Sequence, residues 1–203
     1  MNGTGFWWIL LAMALYGVLH SILAANTIKR LAARWLGKGA ERQYYRLFFS
    51  VIGTVTLLPA LALMIFLPDR HIYTIPFPLS LLTLLLQAAC VIAIFLAVSS
   101  TGGAMVFVGL AQVMRPDGIP MREKFVASGL YRFTRHPIYT ASILFVWLMP
   151  VMTWNLVAFN LGLTAYMVIG SIFEERKLVE QFGQQYIDYR KKTPRIIPGI
   201  KIT

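Results

Sequence analysis

The sequence predicts an all-α integral membrane protein with about five transmembrane helices, an external N-terminus and an amphipathic C-terminal helix on the cytoplasmic side. Three observations predict it. Of 203 residues, 58% are hydrophobic and 13% charged, against about 45–50% and about 25% in a soluble domain. The apolar residues fall in long runs, and a membrane-crossing helix takes roughly 20 of them. The basic residues collect in alternate loops.

Phe6 to Ala25 is the first run, interrupted by His20 and Ser21. It lacks a basic leader and exceeds a secretory h-region, so it reads as a span. Leu47 to Leu67 and Leu79 to Val98 follow. The second of these holds Cys90, the only cysteine, which rules out an intrachain disulfide and reads as core. Ile138 to Phe173 is uncharged but too long for one helix. Pro150, Thr153, Trp154 and Asn155 break it, predicting a tight hairpin of two short spans. Thr101 to Met114 is apolar but carries Gly102, Gly103 and Gly109, which predicts an interfacial or partly inserted segment. No linker divides the chain, so residues 1–203 form one membrane domain: three spans in 1–100 and a second half in 101–203.

The net charge of +11 comes from 19 basic and 8 acidic residues. Lys29, Arg30, Arg34, Lys38, Arg42 and Arg46 follow the first span. Arg115, Arg122, Lys124, Arg132 and Arg135 precede the fourth. Arg176, Lys177, Arg190, Lys191, Lys192, Arg195 and Lys201 occupy the tail. Arg70 alone lies in an opposite loop. The positive-inside rule puts the crowded face in the cytoplasm. Anionic lipid headgroups account for the basicity without nucleic acid.

Two polar clusters on that face exceed what a purely structural bundle requires. One is residues 129–139, entering the fourth span; the other is Glu174-Glu175-Arg176, leaving the fifth. A hairpin sets them side by side. Pro137 suits the first turn of a helix. Arg135 and His136 then sit at the helix mouth, where free N–H groups and the dipole favour an anion. Glu174 and Glu175 fall where a helix is expected to end, which disfavours carboxylates. They answer a cation there, either an arginine of the chain or a ligand. Leu178, Phe182, Tyr186 and Tyr189 make one stripe of an amphipathic helix that caps a pocket from the membrane surface. His20-Ser21 faces the bundle or a cavity rather than lipid. His71, beside Asp69 and Arg70, reads as solvated. The three histidines are too scattered for a metal site, and Gly102-Gly103 makes no dinucleotide fingerprint.

Gly129-Leu130-Tyr131, Arg135-His136-Pro137-Ile138-Tyr139, Glu174-Glu175, Phe182-Gly183, Tyr186, Tyr189 and Pro194-Arg195 resemble, in order and spacing, the integral-membrane methyltransferases. That superfamily includes isoprenylcysteine carboxyl methyltransferase, phospholipid methyltransferases and methanethiol S-methyltransferase with its NnrU-like branch. The resemblance covers about the last 75 residues; Leu19-His20-Ser21 and Tyr45-Arg46-Leu47 are weakly similar to the thiol-methylating branch. One departure is Ala141, where the family often has glycine.

The resemblance implies a helical bundle enclosing S-adenosylmethionine on the cytoplasmic side of a bacterial inner membrane. Gly129, Tyr131, Arg135, His136, Pro137 and Tyr139 would line the pocket. Glu174 and Glu175 would bind the cofactor's polar groups, and Tyr186, Tyr189 and Arg195 would close it. Arg135 suits the cofactor carboxylate; His136 or a glutamate, Glu174 among them, is a candidate base for an acceptor that must lose a proton. The expected acceptor is lipidic or a small hydrophobic molecule entering from the bilayer. Thiol, carboxylate and amine acceptors all stay open. The competing expectations are a nicotinamide-dependent membrane reductase and a non-enzymatic accessory protein.

Overall fold

In a computed structural model, which describes residues 3–115 and 125–200, the regular structure is helical apart from one small ribbon. The first apolar run forms α1 (Phe6–Ala24). The basic loop after it is itself a helix, α2 (Asn26–Leu36), which length and polarity hid from a search for spans. Gly37, at φ +87°, separates it from α3 (Lys38–Phe66). A ribbon strand β1 (His71–Thr74) precedes α4 (Leu79–Ser100). The Thr101–Met114 segment folds into two short helices, α5 (Ala104–Val108) and α6 (Leu110–Val113). Gly109 breaks them at φ +92°, and its missing side chain matters twice, since a Cβ would lie 2.5 Å from the Leu47 amide nitrogen of α3. A 3-10 turn at Gly129–Arg132 leads into α7 (Pro137–Trp147), strand β2 (Val151–Thr153), α8 (Trp154–Phe182) and α9 (Gln184–Lys192).

Four helices are long and apolar enough to cross a membrane: α1, α3, α4 and α8. The expected hairpin of two short spans is therefore asymmetric. Its first arm, α7, has 11 residues, about 16 Å of helix, roughly half the hydrocarbon thickness. Its second arm, α8, has 29. Residues 125–136, which precede α7, are irregular apart from the 3-10 turn at Gly129–Arg132.

The core is small: Phe6, Ile9 and Met13 of α1 pack with Ala60 of α3 and with Ala158 and Phe159 of α8. Gly162 lets α1 approach α8, because a Cβ there would lie 2.5 Å from Met13 Cβ. Large apolar side chains such as Leu15, Val55, Leu85 and Phe95 point outward, as helices in lipid require. Cys90 is buried in α4, as expected. α7 packs against α4 and α8, and Gln87 ties α4 to it by donating to the Phe145 carbonyl at 3.0 Å.

At one end of the bundle β1 and β2 pair antiparallel. Asp69 accepts from the Asn155 amide at 3.0 Å, and the Asn155 side chain donates to the Leu67 and Pro68 carbonyls. A carboxylate at the start of α8 meets the positive end of its dipole. His71 is exposed, as expected, and its Nε2 lies 2.7 Å from Thr74 Oγ1. The cations of the sequence count that bear on the opposite end include Arg122, Lys124 and Lys201, which lie outside the described residues.

Candidate active site

Pro137 occupies the first turn of α7, and His136 is its N-cap. This places the Arg135–Tyr139 motif opposite the inner part of α8. The two clusters meet as expected: Arg135 Nε lies 2.6 Å from Glu175 Oε1, with both side chains buried. Arg135 Nη1 also donates to the Arg190 carbonyl at 2.9 Å and the Thr193 carbonyl at 2.5 Å. Burying this ion pair is tolerable only because the hydrogen bonds satisfy the guanidinium.

Two expectations about helix ends need correction. α8 runs on to Phe182, so Glu174 and Glu175 are not terminal, and their partners rather than a dipole explain their state. The Arg135 and His136 amides are not free. They donate to the Pro194 carbonyl at 2.9 Å and the Arg195 carbonyl at 3.1 Å. Thr134 and Thr140 add hydroxyl bonds to the Arg195 and Ile196 carbonyls, at 2.7 and 2.6 Å. The tail is thus strapped across the start of α7.

The expected stripe of Leu178, Phe182, Tyr186 and Tyr189 does not belong to one helix. Gly183, at φ +56°, ends α8 and redirects the chain into α9. The aromatic grouping survives the break, because Phe125 packs 5.4 Å from Phe182 and 5.5 Å from Tyr189, centroid to centroid. Tyr189 Oη donates to the Tyr131 carbonyl at 2.5 Å. Gly129, at φ +61°, opens the turn that presents that carbonyl.

Adjacent glutamates face different surroundings, being about 100° apart around the helix. Glu175 has a side chain only 3% exposed and also faces Arg195 Nε at 3.4 Å. Glu174 is 46% exposed and accepts from Tyr139 Oη at 2.8 Å. The His136 ring bridges the two, with Nδ1 3.6 Å from Glu174 Oε2 and Nε2 3.4 Å from Glu175 Oε1. It stacks on Tyr139 with 5.2 Å between ring centroids.

Four buried polar atoms here have no hydrogen-bond partner among the described residues: His136 Nε2, Glu175 Oε2, Tyr186 Oη and Arg195 Nε. Leaving such a group unsatisfied costs about 1–3 kcal/mol. Burial and the charge of Glu174 push the Tyr131 hydroxyl up to about 12. Burial also raises Tyr186 and Tyr189 beyond the usual phenol range, with Glu175 adding to both. All three phenols therefore stay neutral donors at physiological pH. Two open clefts flank the cluster. One, of about 420 Å³, is lined by Ser100, Phe125 to Ser128 and Gln185. The other, of about 400 Å³, is lined by Asn26, Lys29, Glu174 and Lys177 among others. Sequence reasoning brought the Arg135, Glu175 and Tyr186 groups together, but it missed Thr134, Thr140 and Thr193, whose role lies in backbone geometry.

Residues 77–185 match the family model for phospholipid methyltransferases. Methanethiol S-methyltransferase 2 of Bradyrhizobium diazoefficiens is 30% identical, over 94% of this chain and 72% of that protein. Methanethiol S-methyltransferase of Mycobacterium tuberculosis is 30% identical, over 93% of this chain and 76% of its own. Protein-S-isoprenylcysteine O-methyltransferase B of Arabidopsis thaliana is 27% identical, over 46% of this chain and 47% of its own. No solved structure gives a significant match. The helical bundle and these relatives define the class: a membrane-embedded methyltransferase. The chain belongs to the phospholipid methyltransferase family.

Proposed function

We propose that the chain transfers the methyl group of S-adenosylmethionine to a small apolar thiol, at the cytoplasmic face of a bacterial inner membrane. The observation that carries the donor site is the set of four unsatisfied buried polar atoms at one cluster. They fit a zwitterionic ligand bearing hydroxyls. Carboxylate oxygens of Glu174 and Glu175 accept from an ammonium or ribose hydroxyls. Arg195 Nε faces a carboxylate, and Tyr186 donates. When bound, the cofactor supplies an electrophilic methyl on a sulfonium sulfur.

The chain's own residues position and dry that site. Arg135 is saturated by Glu175 and the tail, so in this reading it holds Glu175 and the strap in place rather than gripping the ligand. His136 and Tyr139 stack to form one wall, with Pro137 and Gly129 fixing the backbone on either side. Tyr131 and Tyr189 close the opposite side. Methyl transfer to sulfur depends on in-line placement and exclusion of water, and residues 101–203 provide both.

The thiol is supported by the extent of likeness. Four relatives named for methanethiol match over 93–94% of this chain, two more over 39–40%, and the isoprenylcysteine relative over 46%. The cytoplasmic placement is supported by the single cation, Arg70, at the opposite end. The test is calorimetry on purified protein with S-adenosylmethionine, followed by mass spectrometry of methanethiol and prenylcysteine incubations. Cofactor binding and dimethyl sulfide are expected. Binding of a reduced nicotinamide instead would overturn the reading, and methylation of the prenylcysteine alone would overturn the thiol.

A further inference from the structure

The two clefts beside the cluster are alike in size and unlike in charge. Lys29, Lys177 and Glu180 line the one next to Glu174. The other, of about 420 Å³, is lined by Ser100 at the end of α4, by Phe125, Val126, Ala127 and Ser128 ahead of α7, and by Gln185 of α9. None of these six side chains is charged. One is an aromatic ring, and three carry a hydroxyl or an amide. A cleft of this size suits a small organic ligand, and this lining suits one that is flat, uncharged and polar at its edge.

The polar groups of the uncharged cleft are open. The Gln185 side chain makes no hydrogen bond among the described residues. Ser100 donates to the Ala97 carbonyl at 2.8 Å, which leaves its oxygen free to accept. Residues 125–127 belong to no helix or strand, and their amides and carbonyls have no backbone partner among the described residues. An unpaired stretch of main chain offers donors and acceptors side by side. Phe125 joins this cleft to the cluster. Its ring lies 5.4 Å from Phe182, 6.4 Å from Tyr186 and 5.5 Å from Tyr189, centroid to centroid. Tyr186 carries one of the four unpartnered atoms, so one aromatic wall serves both places.

We propose that this cleft receives a purine base, the adenine of the methyl donor, with Phe125 stacked on the ring and the 125–127 main chain and Gln185 pairing its edge. This rests on the S-adenosylmethionine binding proposed above and goes beyond it by giving the ligand a direction. Of that molecule's parts, only the adenine is at once flat, uncharged and edged with both donors and acceptors. Its amino group donates and its ring nitrogens accept. The charged amino-acid end belongs, by the same complementarity, on the Glu174 side. An aromatic face accepts any base, so preference for adenine falls to the main-chain edge and the Gln185 amide, which can donate and accept. These residues bind and orient, and take no part in bond making.

The experiment uses the full chain in nanodiscs and reads binding rather than turnover. The probes are S-adenosylhomocysteine, its inosine counterpart S-inosylhomocysteine, and 8-azido-S-adenosylmethionine for photolabelling. Calorimetry on wild-type protein should find the inosine compound bound about 10–100-fold more weakly, because hypoxanthine exchanges donor and acceptor along the paired edge. Phe125→Ala should weaken S-adenosylhomocysteine about 5–150-fold, the loss of one base–aromatic stack, while Phe125→Tyr keeps the affinity. Gln185→Ala should weaken it about 2–10-fold, the loss of one hydrogen bond. Tandem mass spectrometry should place the photolabel on residues 125–128 or on Gln185. Label on Lys29 or Lys177 instead, equal affinity for the two nucleosides, or unchanged affinity in both Phe125→Ala and Gln185→Ala would each overturn the adenine cleft while leaving the methyl donor in place. Folded wild-type protein that binds no S-adenosylhomocysteine would instead overturn the donor reading, and the adenine cleft with it.

Discussion

The two ends of the bundle use polar groups in opposite ways. At the ribbon end, Asp69 and Asn155 bond to backbone amides and carbonyls, which ties α3 to the start of α8, and only the amide oxygens of Asn155 and, further along α8, Asn160 are left without a partner among the described residues. At the other end, charged side chains face one another, and His136, Glu175, Tyr186 and Arg195 each keep a buried atom unpartnered among the described residues. The ribbon end lowers the free energy of the fold. The site end gathers four unpartnered atoms in one cluster, all on ionisable side chains, which is the cost a bound ligand would relieve under the proposed function. The difference teaches where a ligand belongs more clearly than cleft volume, because the two clefts at the site end are similar in size.

Substitutions sharpen that contrast. Glu175→Ala should have the largest effect, because it strands the buried Arg135 charge. Loss of one partner in such a pair costs about 3–5 kcal/mol, read as a lower Tm in detergent together with lost cofactor binding. Glu174→Gln should leave Tm nearly unchanged, since a glutamine carbonyl still accepts from Tyr139. Its cofactor affinity should drop about 10–100-fold, the value of a charge-assisted bond. Equal Tm losses in the two variants would abolish the distinction between the neighbours. At the ribbon end, Asp69→Ala should cost about 1 kcal/mol of stability, comparable to a lost cap, with kcat/KM for the methyl acceptor unchanged. The smallest effect belongs to Asp188 on α9. Its carboxyl is held below the usual range by Gln184 and Lys191, but it is exposed, so Asp188→Asn should shift neither Tm nor activity in an ordinary thermal melt and rate assay.

Much of this was legible in the residues because its signals are long or chemically specific. The runs beginning at Phe6, Leu47 and Leu79 were found because hydropathy sums over a bilayer's width. Arg135 with Glu175 was reachable because two charges at the inner ends of one hairpin have few other partners. The rest depends on shorter-range physics. α2 escaped because its basic residues mark a loop in a hydropathy scan, although Ile28, Leu31 and Trp35 carry a helical period. The end of α8 was misplaced because Glu174 ends the apolar run without ending the helix; Gly183 does that through its positive φ. Thr134 and Thr140 carry no charge signature at all. Their part is visible only once the Arg195 and Ile196 carbonyls lie beside them.

That strap has a consequence for biosynthesis. Residues 193–196 follow, in chain order, all four of the described helices long enough to cross a membrane, and they supply the carbonyls that receive the Arg135 and His136 amides. During synthesis, α1, α3, α4 and α8 can all be inserted while this part of the site is still missing. Under the proposed function, methyl-transfer competence waits for this stretch, and a nascent chain stalled in α9 would have all four of these helices inserted without the tail carbonyls of its candidate site.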